Sequence, residues 1–242
     1  MKGLSSTIFN DIINDHFGSN STRDLKFEIG TIPAQLGNTD AFTYTNYDVN
    51  NISNAPGDVM TVRLSNTFVQ NASTIEIALT IIHESIHAEL IDRCIQLSLV
   101  NNVSILGGME FNSFSGNNVF TLPDAIFNQL LIVYSAYPPN SDSQWNHNLF
   151  NVLSYRTKMA QNLVFVHPWL NDTSSDFITN VNADTLNLYG DFTIEELMDY
   201  IAWIGLEGTQ DFINNIQDIP LELTKKNFVE TSARTHYTND CN

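Results

Sequence analysis

Basic residues are scarce in this chain: 10 Lys and Arg stand against 27 Asp and Glu over 242 residues, a net charge of -17. Binding to nucleic acid or anionic lipid draws on clustered Lys and Arg. Here only Lys225 and Lys226 adjoin, so neither a nucleic-acid nor a membrane partner is expected. Cysteine is nearly absent as well. Cys94 and Cys241 supply neither a disulfide framework nor a thiolate zinc site, and Cys94 reads as a small core residue. No run of 18 apolar residues is long enough to cross a bilayer. Met1 to Ser6 lack the apolar segment of a signal peptide, and export as part of a longer chain stays open.

What remains is a globular composition. Hydrophobic residues make up 43% and aromatics 11%, enough for a core, while charged residues reach only 15%. Asn, Ser and Thr therefore fill a polar rather than ionic surface. The expected organisation is one domain over 1–242: a helix and sheet in 1–72, one central helix in 73–100, and a mainly helical lobe in 101–242. The fold class is α+β, a small, mostly antiparallel N-terminal sheet followed by a predominantly helical region.

Leu4, Ile8, Phe9, Ile12, Ile13 and Phe17 recur three to five apart and predict a helix that stops at Gly18. Lys26–Ile32, Ala41–Tyr47 and Val59–Val69 are rich in Thr, Phe, Tyr and Val and read as three strands. Ser73 and Glu76 form a capping box, in which each side chain serves the other's free amide, and this opens a helix from about Thr74 to Leu97. Ile75, Leu79, Ile82, Ile86 and Leu90 give that helix a buried stripe.

Asn101–Phe120 reads as a long polar loop, 121–134 as a helix stopping before Pro138, and Ser143–Val164 as another helix with Trp145, Leu149, Tyr155, Met159 and Leu163 on its apolar side. A polar connection spans 171–187. A second capping box, Thr193 with Glu196, starts a helix to about Ile204, and the tail beyond Pro220 shows no clear pattern.

The capped central helix carries His83-Glu84-Ser85-Ile86-His87. Positions four apart share a helix face, so both imidazoles can grip one metal ion. Glu84 lies about 100° around the helix from His83, beside the ion's open position, where its carboxylate can take a proton from a bound water. With six histidines in the chain, this spacing around a glutamate is a specific signal for a zinc site with Glu84 as catalytic base.

Catalytic zinc usually takes three protein ligands and a water. His147 is the first candidate for the third, because Phe150, Asn151 and Ser154 make its side of the helix a mixed surface such as lines a cleft. Glu110, in the glycine-bearing loop, is the alternative, followed by His167 beside Pro168, which reads as packed or capping. Asp124 is explained by helix capping, and His16 and His236 lie in the first helix and the tail.

His83 to His87, on a helix that follows a small sheet, resembles the zincin metallopeptidases. The match is firm over the five motif residues and extends by layout over roughly 59–164. After His87 the chain reads Ala88-Glu89-Leu90-Ile91-Asp92-Arg93, without the glycine and third histidine of metzincins, which excludes that branch. A third histidine on a later helix is loosely similar to the SprT-like arrangement, which carries it closer to the motif.

The resemblance implies a Zn2+ cofactor, His83 and His87 as ligands with a distant third, Glu84 as general base, and a peptide or protein substrate. It further implies that Val59–Ser65 is an edge strand to which an extended peptide adds. Tyr155, as an oxyanion donor, competes with its plainer role as a core aromatic. Two other functions fit the same residues: a catalytically inactive zincin-shaped binding module, and a metallopeptidase toxin or effector domain of a larger secreted protein.

Overall fold

The structure is a computed structural model that describes residues 17, 23–45, 47–48, 59–96, 100–103, 109–111, 147, 155–170, 174–184 and 189–237. The expected first helix apart from Phe17, most of the 101–120 loop, the helix over 121–134, most of 143–154, Asp124, His16 and the Cys94 side chain lie outside the described residues. The chain divides into two compact units, 1–114 with 239–242, and 115–238.

The first unit is α+β. Its strands are β1 (Asp24–Gly30), β2 (Ala41–Tyr44), β3 (Tyr47–Asp48), β4 (Val59–Ser65), β5 (Val100–Val103) and β6 (Met109–Phe111), with helices α1 (Asn66–Asn71) and α2 (Thr74–Gln96). One sheet has the order β1-β4-β2 and the other β3-β5-β6. Strand β4 lies in the middle of its sheet because it is buried on both faces: Met60 and Val62 are fully enclosed, and Thr61 on the opposite side is buried too.

Three expectations are corrected here. The β1-β4-β2 sheet is mixed rather than mostly antiparallel, since β1 runs parallel to β4 from Asp24 opposite Val59 to Gly30 opposite Ser65. Only β2 is antiparallel to β4, from Ala41 opposite Leu64 to Tyr44 opposite Thr61. Strand β4 is also not the edge strand: with both sides hydrogen-bonded it has no free ladder to offer, and among the described residues the edges are β1 and β2. It is shorter than the pattern suggested as well, because the Ser65 hydroxyl accepts from the Phe68 amide at 2.8 Å and starts α1.

Helix α2 packs across β2 and β4. Its start is fixed as the sequence indicates: the Ser73 amide donates to Glu76 Oε2 at 2.9 Å, the Ser73 hydroxyl donates to the same oxygen at 2.8 Å, and the Glu76 amide returns to Ser73 Oγ at 3.4 Å. The stripe Ile75, Leu79, Ile82, Ile86 and Leu90 is buried throughout. Ile86 is completely enclosed one residue from His87. Ile86→Ala should therefore lower the unfolding free energy by about 2–5 kcal/mol in urea denaturation; a loss below about 0.5 kcal/mol, as at an ordinary surface site, would contradict this packing.

The polar side of α2 departs from simple amphipathicity. Glu76, His83, Glu84, Ser85, Glu89 and Asp92 are buried along with the apolar stripe, so the helix is enclosed nearly all round and its polar groups need partners. Arg23 supplies one, its Nη1 lying 2.6 Å from Asp92 Oδ1. Arg93 supplies another, Nε donating to Glu89 Oε1 at 3.0 Å.

The second unit is helical where described, with α3 (Tyr155–Val166), α4 (Ser174–Asp184), α5 (Ile194–Ile201), a short turn Gln210–Phe212 running into a π-helical segment Ile213–Gln217, and α6 (Pro220–His236). Helix α5 lies against both α3 and α6, and α4 against α6. The expected box at α5 is present: the Thr193 amide donates to Glu196 Oε2 at 2.8 Å and the Glu196 amide to Thr193 Oγ1 at 3.2 Å. The helix ends before Gly205, whose φ of 85° is a left-handed conformation that glycine adopts without steric cost. Helices α4 and α6 lie where the sequence showed only a polar connection and an unpatterned tail.

Candidate metal and base site

The site is built on the middle of α2. His83 is buried and His87 half-buried, and their rings meet edge to face with centroids 4.8 Å apart. One helical turn between them brings His83 Nε2 and His87 Nε2 to 3.0 Å. Zn–N bonds of about 2.0–2.1 Å set neighbouring ligand nitrogens of a tetrahedral centre roughly 3.3 Å apart. The pair is therefore spaced as two ligands of one ion.

His147 is half-buried, and its burial lowers its pKa from the usual histidine value, partly opposed by the carboxylate of Glu207. Burial thus keeps the ring neutral, the form that binds metal. His147 belongs to the second unit, and the imidazoles of His83, His87 and His147 are three groups of the kind that could hold a metal ion. The 3.0 Å spacing of the His83 and His87 ring nitrogens suits a tetrahedral centre.

The other candidates are placed elsewhere or left open. His167 turns Nδ1 to the Tyr237 hydroxyl at 3.3 Å, a packing contact next to a fully buried tyrosine. His236 pairs with Asp184 at 2.9 Å. Glu110 has its backbone in β6, opposite Asn102, and its side chain is outside the described residues. Tyr155 is buried, with the Lys158 ammonium 5.4 Å from its ring centroid.

Glu84 is buried beside the histidines, and its side-chain partner is Thr43 on the edge strand β2. The Thr43 hydroxyl lies 2.7 Å from Glu84 Oε2 and 2.8 Å from the Glu84 carbonyl oxygen. Burial pushes the Glu84 carboxyl up to about 7, with the Thr43 hydrogen bond pulling slightly the other way. The hydrogen-bond geometry agrees with that direction. A hydroxyl has one proton to give, so both short contacts are hydrogen bonds at once only when Glu84 itself carries a proton. A carboxylate that titrates near neutrality is suited to general acid–base work, and a divalent cation beside it would favour the ionised, basic form.

The raised pKa has a cost for the metal-free fold. Between pH 4.5 and 7 the folded carboxyl holds a proton that the unfolded chain has lost, so folding stability falls as pH rises through that window. The full penalty, at most about 3 kcal/mol, is present above pH 7. Metal-free Glu84→Gln should thus gain stability over the wild type at pH 8 and not at pH 4, compared by urea denaturation. An equal difference at both pH values would contradict the assignment.

Thr43 is the site residue that sequence reasoning missed. It sits in a Thr- and aromatic-rich strand where threonine is an ordinary strand former, and its partner is 41 positions away. Compared with protein-family models, with curated proteins and with solved structures, the chain matches none.

Proposed function

We propose that the protein is a zinc-dependent hydrolase of peptide bonds, a metallopeptidase of zincin type. The observation that carries the reading is the buried Glu84 carboxyl, brought to about 7 between two histidines whose ring nitrogens are 3.0 Å apart. In this reading His83, His87 and His147 bind zinc through ring nitrogens. When bound there, zinc supplies Lewis-acid chemistry, lowering the pKa of a coordinated water to about 7 and polarising a carbonyl. Glu84 accepts a proton on its carboxylate and returns it to the departing amine nitrogen, the cycle expected of a general base that becomes a general acid.

Strand β2 takes over the role first expected of β4. It is an edge of its sheet, packed on α2, and it carries the hydroxyl that touches Glu84. An extended peptide pairing with Ala41–Tyr44 would gain main-chain hydrogen bonds from β2 and lie along the strand that reaches the base. The reading is tested by incubating zinc-loaded protein with a denatured protein mixture and sequencing new peptide termini by mass spectrometry. Cleavage by the wild type and not by Glu84→Gln supports it; no new termini with either, at full zinc loading, overturns it.

A further inference from the structure

The proposal starts from a hydroxyl in a position made for a methyl group. In β2 the side chains of Ala41 and Thr43 fall on one face and those of Phe42 and Tyr44 on the other. Ala41 belongs to the apolar cluster with Val62 and Leu64, and Thr43 is itself buried and lies opposite Val62. Valine has nearly the same shape and no need of a hydrogen bond, so a buried threonine at this point is costly unless its hydroxyl is satisfied. The oxygens that satisfy it, at 2.7 and 2.8 Å, both belong to Glu84.

We infer that Thr43 is a positioning residue for Glu84: its one hydroxyl proton goes to Oε2 of the ionised carboxylate, with the main-chain oxygen of the same residue against the same hydroxyl, and this fixes one rotamer in which Oε1 is left as the working oxygen. The inference rests on the reading of Glu84 as the base. A carboxylate on a three-torsion side chain loses little by leaving a weakly held rotamer. A hydrogen bond from a hydroxyl on a rigid strand, itself tied to β4 along Ala41–Tyr44, removes that freedom. Among the described residues Oε2 is held by Thr43, and Oε1 has no hydrogen-bond partner. This division of the two oxygens is what a base needs, since a carboxylate oxygen already engaged as an acceptor is the poorer proton acceptor.

Thr43→Val and Thr43→Ser separate the hydroxyl from the shape, with Thr43→Ala as the alternative should Val fail to fold. The first readout is structural and independent of any substrate: crystal structures of the zinc-loaded variants. Glu84 should leave its rotamer or occupy several in Val or Ala and keep it in Ser; an unchanged Glu84 in Val or Ala overturns the proposal. The second readout is kinetic. In Val or Ala, kcat should fall about 10- to 100-fold, the scale of a misplaced reacting group, with KM and zinc content unchanged and Ser restoring most of the rate. Full kcat in the Val or Ala variant also overturns it. If Glu84 moves as expected while the wild type cleaves no peptide, the clamp stands and the assignment of the reaction falls.

Discussion

Glu84→Gln is expected to bind zinc as the wild type does and to lose about 100- to 10,000-fold in kcat, the contribution typical of a positioned general base. The amide matches the carboxylate in size, so the buried space beside His83 and His87 stays filled and the two ring nitrogens keep their 3.0 Å spacing. Gln can also keep one contact with the Thr43 hydroxyl, as a carbonyl oxygen in place of Oε2. What it cannot do is accept a proton near pH 7. Zinc content by mass spectrometry and steady-state rates on one cleaved peptide are enough to check this. A Glu84→Gln enzyme with unimpaired kcat would remove Glu84 from the chemistry.

The second large effect is expected at His147. Two imidazoles on one helix turn are half of a tetrahedral site, and a catalytic zinc ordinarily takes three protein ligands. His147→Ala should weaken zinc binding by more than about 100-fold, beyond the loss expected for a partner that only orients a ligand. His167→Ala should leave zinc affinity unchanged, because that ring is engaged by Tyr237. Competition titration with a chromogenic chelator distinguishes the two. Equal affinity in His147→Ala and wild type would return the third position to Glu110.

How much of this was legible in the sequence depended on whether the signal was local. The capping box at Ser73 and Glu76, the five-residue stripe behind it and the HExxH spacing are all contained within one helix, and all three are found as read. Helix α6 escaped notice because the side chains it buries include Lys226 and Ser232 beside Val229 and Ala233. Lys226 is enclosed by virtue of ion pairs with Glu207 at 3.0 Å and Glu230 at 2.6 Å, which an apolar pattern does not reveal. Among its described side chains helix α4 buries Phe177 and Val181, a single i,i+4 pair in an Asn- and Ser-rich stretch.

Sheet order was the other failure, and its reason is tertiary. The alternation of Met60, Val62 and Leu64 identifies a strand but not its neighbours, and the burial of Thr61 that marks β4 as central arises only once β1 and β2 close on it. The same limit hid Thr43. Its role is set by an oxygen 41 residues away, and nothing in Ala41–Tyr44 distinguishes it from a threonine chosen for strand propensity.

The most direct measurement of the central claim is anomalous diffraction at the zinc edge from crystals of the zinc-loaded protein. The expected result is one strong peak about 2.0–2.1 Å from a ring nitrogen of each of His83, His87 and His147, with Glu84 beside it and not bonded to it. A peak elsewhere, a peak ligated by the Glu84 carboxylate itself, or no peak in protein that retains its fold would contradict the account.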